Sequence, residues 1–289
     1  MKVLVTGAGG QLGRALLACA PAGTEVVARA RPELDVADPA AVRRVLDALL
    51  PDVLVNTAAY TAVDRAESEP MVAARVNAHG PAVLAAACQE RGARLVHVST
   101  DFVFDGAAST PYACDAPTNP LGVYGRTKRD GELAALAALG ERCLVVRTAW
   151  LYAASGRNFL TTMVRLMRER GAVSVVADQV GAPTAAASLA TVLWRAVATP
   201  SLSGVQHYSD AGVASWYDFA VAIAEEGYAA GLFTLPVTVS PLATAEYPTP
   251  ATRPAYSVLD SRRLRVALGL VAVHWRVALR PVIAELARA

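Results

Sequence analysis

The sharpest chemical signal in the chain is a tyrosine and a lysine four positions apart, in Tyr124-Gly125-Arg126-Thr127-Lys128. On a helix, positions i and i+4 share a face. An ammonium close to a phenol favours the phenolate and lowers the phenol's pKa. Such a tyrosine can exchange a proton with a carbonyl or alcohol oxygen near neutral pH. Chance matches to this spacing are common, but composition sharpens this one. The chain has 25 arginines and only two lysines, Lys2 and Lys128. In so arginine-rich a sequence, a lysine at this place implies a need for a compact ammonium. A second group, Val96-His97-Val98-Ser99-Thr100-Asp101, closes an apolar run. Thr100 is placed to hydrogen-bond a substrate carbonyl together with Tyr124. Ser99 is the rival, although strand alternation sends neighbouring side chains to opposite sides.

The N-terminal run Val3-Leu4-Val5-Thr6 leads into Gly7-Ala8-Gly9-Gly10-Gln11-Leu12-Gly13, with glycines at intervals of three. After a strand and before a helix, this pattern suits a dinucleotide. One glycine makes the turn, one admits a pyrophosphate to the backbone, and one allows close helix packing. Gly7, Gly10, Gln11, Leu12 and Gly13 are the expected contacts; the bland alternative is a turn that binds nothing. Past the second apolar run, Arg29 and Arg31 stand where an acidic residue would select NAD. Arginine accommodates a 2′-phosphate, so NADPH is expected and NADH remains possible. Asp35 and Val36 are candidates for the adenine. Ala58, Ala59 and Tyr60 should run beside the cofactor with Val98, though ordinary packing explains that stretch equally well.

These groups need a scaffold that brings strand ends together. Five β-branched runs, Val3–Thr6, Glu25–Ala28, Asp52–Asn56, Arg94–Ser99 and Cys143–Thr148, alternate with helical stretches. The helices are expected over Gln11–Cys19, Ala40–Leu50, Met71–Arg91 and Gly125–Leu139. Continuous apolar strands alternating with helices predict an α/β fold: a doubly wound parallel sheet of the Rossmann kind. Ligands then bind beyond the carboxyl ends of the strands. Residues 1–150 form the expected dinucleotide domain, to which later segments can return. Residues 151–289 form mainly a smaller substrate-binding lobe. There, helices are expected over Asn158–Arg170, Ala185–Thr199 and Ser215–Glu226, with Ser215 as N-cap. Strands are expected at Val173–Val176 and Val205–Tyr208, and an extended loop over Thr234–Pro254. Two short helices close the chain, near Arg262–Leu268 and Trp275–Ala287.

Composition narrows the function. The net charge of +2 comes with no basic stripe, which argues against nucleic acid or an anionic membrane as partner. The four cysteines form no CxxC pair and the histidines no ligand spacing, so no metal site is expected. No apolar stretch of roughly 20 residues exists, so a soluble, cytoplasmic protein is expected.

Seven stretches together resemble the dTDP-4-dehydrorhamnose reductases, the last enzymes of dTDP-L-rhamnose synthesis and members of the extended short-chain dehydrogenases. They are Gly7–Gly13, Asn56–Pro70 (NTAAYTAVDRAESEP), Ser99–Gly106 (STDFVFDG), Asn119–Lys128 (NPLGVYGRTK), Arg147–Tyr152 (RTAWLY), Asp178–Thr184 (DQVGAPT) and Tyr247–Pro254 (YPTPATRP). The resemblance covers essentially the whole chain. It implies that Thr100, Tyr124 and Lys128 are the catalytic trio, with hydride passing to C4 of a keto-sugar and Tyr124 donating the proton. It also implies that Thr61, Asp101 and Trp150 line the sugar pocket and that Arg253 meets the diphosphate. Some family members bridge a homodimer through Mg²⁺ held by glutamates. The matching positions here are Ala15 and Ala187, with only Glu285 as a plausible match, so a monomer or weak homodimer without bridging metal is expected. Two rivals share the fold and the Tyr/Lys pair. A 4,6-dehydratase would show Asp-Glu after the threonine, where this chain has Asp101-Phe102. A non-catalytic subunit would have lost a member of the trio.

Overall fold

The computed structural model describes residues 1–288; Ala289, the last residue of the expected smaller lobe, lies outside the described residues. Its centre is a six-stranded parallel sheet. The first five strands are β1 (Lys2–Thr6), β2 (Glu25–Arg29), β3 (Val53–Asn56), β4 (Arg94–Thr100) and β5 (Cys143–Thr148). The sixth, Gly204–His207, pairs in parallel with β5, giving the order sixth strand, β5, β4, β3, β1, β2. The expected doubly wound sheet is therefore present. Alternation along each strand divides the core in two. Val3, Val5, Val55, Val96 and Leu144 face the first helix, Gln11–Ala18, and the helix Ala186–Val197. Leu4, Leu54, Leu95 and Val145 face the helices Pro39–Leu49, Gly80–Arg91 and Val123–Leu139. Both faces are covered, which is why β3 and β5 are buried along their whole length.

The smaller lobe has its own apolar cluster, built by the helices Phe159–Arg170, Trp216–Ala229 and Trp275–Arg288. Ser215 caps the second of these as expected: its hydroxyl accepts from Asp218 N at 3.0 Å, and Asp218 Oδ2 accepts from Ser215 N at 2.8 Å.

Two expectations need correction. The stretch Thr234–Pro254 is not loop throughout, because Thr238–Leu242 pairs in parallel with Ala172–Val176. Pro241 is tolerated because a two-stranded ribbon leaves one side of each strand unpaired. The single helix expected over Met71–Arg91 is also interrupted. Helical turns at Pro70–Ala74 and Gly80–Arg91 flank a π-helical turn, Arg75–His79, of the kind that often marks a functional position. Among the described residues no helix is long and apolar enough to cross a membrane.

Candidate active site

Gly7 closes β1 with φ of +71°, where a side chain would be strained, and a Cβ there would sit 2.5 Å from Ala58 N. A Cβ on Gly13 would meet Gly7 O at 2.6 Å, so the first helix can lie this close to the loop only with glycine. Gly10, the N-cap, offers no side-chain acceptor to the first turn, whose amides are left for an anion. The cradle fits a dinucleotide diphosphate. Leu12 is buried in the core, and Gln11 ties the loop to the smaller lobe through Leu151 O at 3.1 Å. Past β2, where the adenine end is expected, Arg29 donates to Ala28 O at 2.9 Å and Arg31 is exposed. Asp35 accepts from Arg75 at 2.6 Å and Val36 is buried.

A buried polar chain runs from the carboxyl ends of β1 and β3 to the middle of β4. Asn56 Oδ1 accepts from Thr6 Oγ1 at 2.7 Å and Ala58 N at 3.1 Å, while its Nδ2 faces His97 Nδ1 at 3.0 Å. This holds the start of the Ala58–Tyr60 segment. Asn77, in the π-helical turn, holds its end. Its Oδ1 accepts from Tyr60 N at 2.8 Å, and its Nδ2 donates to Tyr60 O at 3.0 Å and Thr127 Oγ1 at 3.2 Å. One fully buried amide thus joins the expected cofactor loop to the helix carrying Tyr124. Asn77→Ala leaves the part-buried Tyr60 N–H and C=O without their partner, at a cost of up to about 1–3 kcal/mol each. The variant should melt several degrees lower and bind nucleotide more weakly, as thermal denaturation and titration would report.

At the end of β4, Thr100 Oγ1 donates to Asp101 Oδ1 at 3.0 Å and accepts from Phe102 N at 3.2 Å, capping the turn Asp101–Val103. Tyr124 packs on that turn, its ring edge-to-face with Phe102 at 5.7 Å. Its phenol lies near the Thr100 hydroxyl and the Asp101 carboxylate. Ser99 Oγ, the rival, is buried without a partner among the described residues. The helix N-terminus has no side-chain cap from Gly122; Glu67 Oε1 accepts from Val123 N at 2.7 Å instead.

The electrostatics reverse the sign expected from spacing. Burial pushes the Tyr124 phenol up to about 12; the Thr100 hydroxyl works against this and the Asp101 charge adds to it. Lys128 Nζ donates to Val98 O at 2.7 Å. Burial lowers its pKa to about 8, opposed by Glu132. Burial also raises Asp101 to about 6, against the Ser257 and Thr100 hydroxyls. The phenol is therefore a proton-bearing acid rather than a preformed phenolate.

The other expected contacts sit on three separate segments. Thr61 is exposed on the loop after β3. Trp150 follows β5 with φ of 46°, rare for a non-glycine, and its indole stacks on Trp216 at 3.5 Å and 5°. Arg253 is latched to Asp64 by contacts of 3.0 and 2.7 Å and also donates to Ala251 O at 3.1 Å. Reading the sequence left Glu67, Asn77, Glu132, Arg147 and Trp216 unmarked. The available signals were an asparagine in an alanine-rich helix, a glutamate four residues after Lys128, and an arginine inside an apolar strand.

Residues 1–288 match the family model described as RmlD substrate binding domain. A dTDP-4-dehydrorhamnose reductase of Burkholderia thailandensis is 45% identical over 288 residues, covering 96% of each chain. A probable dTDP-4,6-dihydroxy-2-methyloxan-3-one 4-ketoreductase of Streptomyces antibioticus is 46% identical over 283 residues, covering 97% of this chain and 94% of its own. The solved structure of a dTDP-4-dehydrorhamnose reductase from Bacillus anthracis in complex with NADP superposes with a TM-score of 0.92. It is 36% identical and covers 98% of this chain and 99% of its own. The match runs through the glycine loop, the Tyr124 helix and the smaller lobe alike, and the chain belongs to the dTDP-4-dehydrorhamnose reductase family.

Proposed function

We propose that this protein is an NADPH-dependent oxidoreductase that reduces the C4 ketone of a dTDP-4-dehydro-6-deoxy-sugar, with dTDP-4-dehydro-L-rhamnose as substrate and dTDP-L-rhamnose as product. The observation that carries the reading is Tyr124, one helical turn from the buried Lys128 and packed on the turn that follows Thr100 at a strand end, in a fold that opens on a dinucleotide cradle. Reduction of a ketone needs a proton donor at the carbonyl oxygen, and a phenol that keeps its proton supplies one. Thr100 and Tyr124 would hold that oxygen between two hydroxyls. Lys128 would bond the nicotinamide ribose and place a positive charge near the oxyanion as it forms. Reduced nicotinamide, when bound, supplies hydride to the carbonyl carbon. Gly7, Gly10, Gln11, Leu12 and Gly13 would hold its diphosphate; Asp35, Val36, Ala58, Ala59, Tyr60 and Val98 would line its remaining length. Thr61, Asp101, Trp150 and Arg253 are assigned to the nucleotide-sugar.

Residues 1–150, with Ala186–Val197 and Gly204–His207, act as the dinucleotide unit, and the remainder of the second half as the substrate lobe. The four free cysteines suit a reducing cytosol. A monomer or weak homodimer without bridging metal completes the reading, since Ala15 and Ala187 offer no carboxylate. A dimer that EDTA dissociates and Mg²⁺ restores would refute that part.

The deciding assay is NADPH consumption over a panel of dTDP-4-keto sugars with product stereochemistry determined; no turnover on any of them would end the proposal. The Streptomyces antibioticus relative favours a second reading, the same reduction on a different dTDP-4-keto sugar. The same panel separates the two. Arg31→Ala tests the cofactor choice. A charge-assisted bond to a phosphate contributes about 1.5–3 kcal/mol, so the NADPH-over-NADH ratio in kcat/KM should fall roughly tenfold or more. An unchanged ratio would remove Arg31 from the 2′-phosphate site.

A further inference from the structure

The helix Val123–Leu139 carries another ionisable group on the face that holds Tyr124 and Lys128. Glu132 follows Lys128 by four residues, one turn further along. It is 1% exposed, and its carboxylate is gripped from β5. Arg147 Nε donates to Oε1 at 3.0 Å and Arg147 Nη2 to Oε2 at 2.7 Å. The guanidinium has little freedom to turn elsewhere. It lies 5.2 Å over the Phe104 ring, and Nη1 faces His207 Nε2 at 3.4 Å. His207 Nδ1 faces Tyr112 O at 3.0 Å. A carbonyl only accepts, so Nδ1 carries the proton and Nε2 accepts from Arg147. The ring stays neutral, its pKa held at about 4 by burial and by Arg147.

The groups facing Lys128 can therefore be enumerated by element. Its own helix contributes Tyr124, which is uncharged, and Glu132. β4 contributes His97, kept neutral by burial and by Lys128 itself. Asp101, beyond the end of β4, acts on Tyr124. On β5, Arg147 binds Glu132. The anion that opposes loss of the Lys128 proton is Glu132. A buried ammonium tends to lose its proton, and a nearby anion opposes that loss.

We propose that Glu132, fixed in place by Arg147, is a positioning residue that keeps the Lys128 ammonium charged inside the fold and so sets the upper pH limit of the reaction. The claim rests on the reading of Tyr124 and Lys128 as the catalytic pair. Its sign follows from charge: protonated Lys128 is the working form, so removing the anion brings the loss of activity to lower pH.

Having only two lysines makes the test direct. In protein labelled with ¹³C at lysine Cε and carrying Lys2→Arg, one NMR resonance reports Lys128. Glu132→Gln should lower its titration midpoint by at least about one pH unit. The alkaline limb of kcat/KM should move with it, leaving activity about tenfold below the parent above both midpoints. Breaking a buried ion pair by removing one partner is strongly destabilising. If Glu132→Gln does not fold, Glu132→Gln/Arg147→Met removes the whole ion pair and should shift the midpoint in the same direction but by less, because Glu132 is the member one helical turn from Lys128. An unmoved Lys128 midpoint in the folded variant overturns the proposal. A resonance that moves while the pH profile stays put overturns the rate claim, and places the fault in the catalytic reading of Lys128 rather than in its coupling to Glu132.

Discussion

Tyr124→Phe should lower kcat for keto-sugar reduction by about 10²- to 10⁴-fold, the usual contribution of a positioned general acid. The ring survives the change, so its edge-to-face contact with Phe102 at 5.7 Å survives too. The glycine loop, Asn56 and Asn77 are untouched, so NADPH affinity measured by titration should stay near the parent value. The parent's pH profile carries a companion expectation. The phenol, raised by burial to about 12, keeps its proton throughout the assayable range. The ammonium, lowered by burial to about 8, titrates within it on the alkaline side. Activity should therefore fall as pH rises through that point. Full turnover by Tyr124→Phe would remove the assigned proton donor, and an alkaline limb near 10.5 would show that burial does not govern Lys128.

Gly125→Ala should cost roughly 10²-fold in kcat/KM, about what a 1 Å misplacement of catalytic groups costs, although the added methyl makes no chemistry of its own. Gly125 sits between Tyr124 and Lys128 where the helix rests on the turn after β4. A Cβ there would lie 2.1 Å from Phe102 O and 2.9 Å from Phe102 C. Those are backbone atoms of the turn capped by Thr100. The strain is relieved only by separating helix from turn, which parts Tyr124 from Thr100. Overpacking of this kind costs about 1–3 kcal/mol, so the melting temperature should drop as well. Parent-like kcat/KM in this variant would mean that the separation of helix and turn is not critical to the reaction.

Much of the site was readable because its signals are contiguous. Gly7–Gly13 is a turn and a helix start in one stretch, and Tyr124 and Lys128 are one helical turn apart. The elements were also legible, because strands covered on both faces must be apolar nearly throughout. The misses share a cause. Pro241 and its neighbours resemble a loop, yet register against Ala172–Val176 makes them a strand. Asn77 resembles an ordinary helical residue until the π-helical turn brings it under Tyr60 and Thr127. Glu132 and Arg147 each carry a local signal, but nothing local pairs them, since their partnership joins a helix to a strand.

Sequence alone was enough to specify the parallel α/β scaffold, the glycine turn after β1 and the one-turn spacing of Tyr124 and Lys128 on a helix, because periodicity and short spacing act through the local backbone. Tertiary structure decided the charge states and the partners. Spacing predicted a lowered phenol pKa, whereas burial raises it, and the lysine hydrogen-bonds the Val98 carbonyl. Arg253 meets Asp64 from 189 residues away. A proton's free energy depends on the solvent and charges that folding removes or gathers, and no window of sequence contains them.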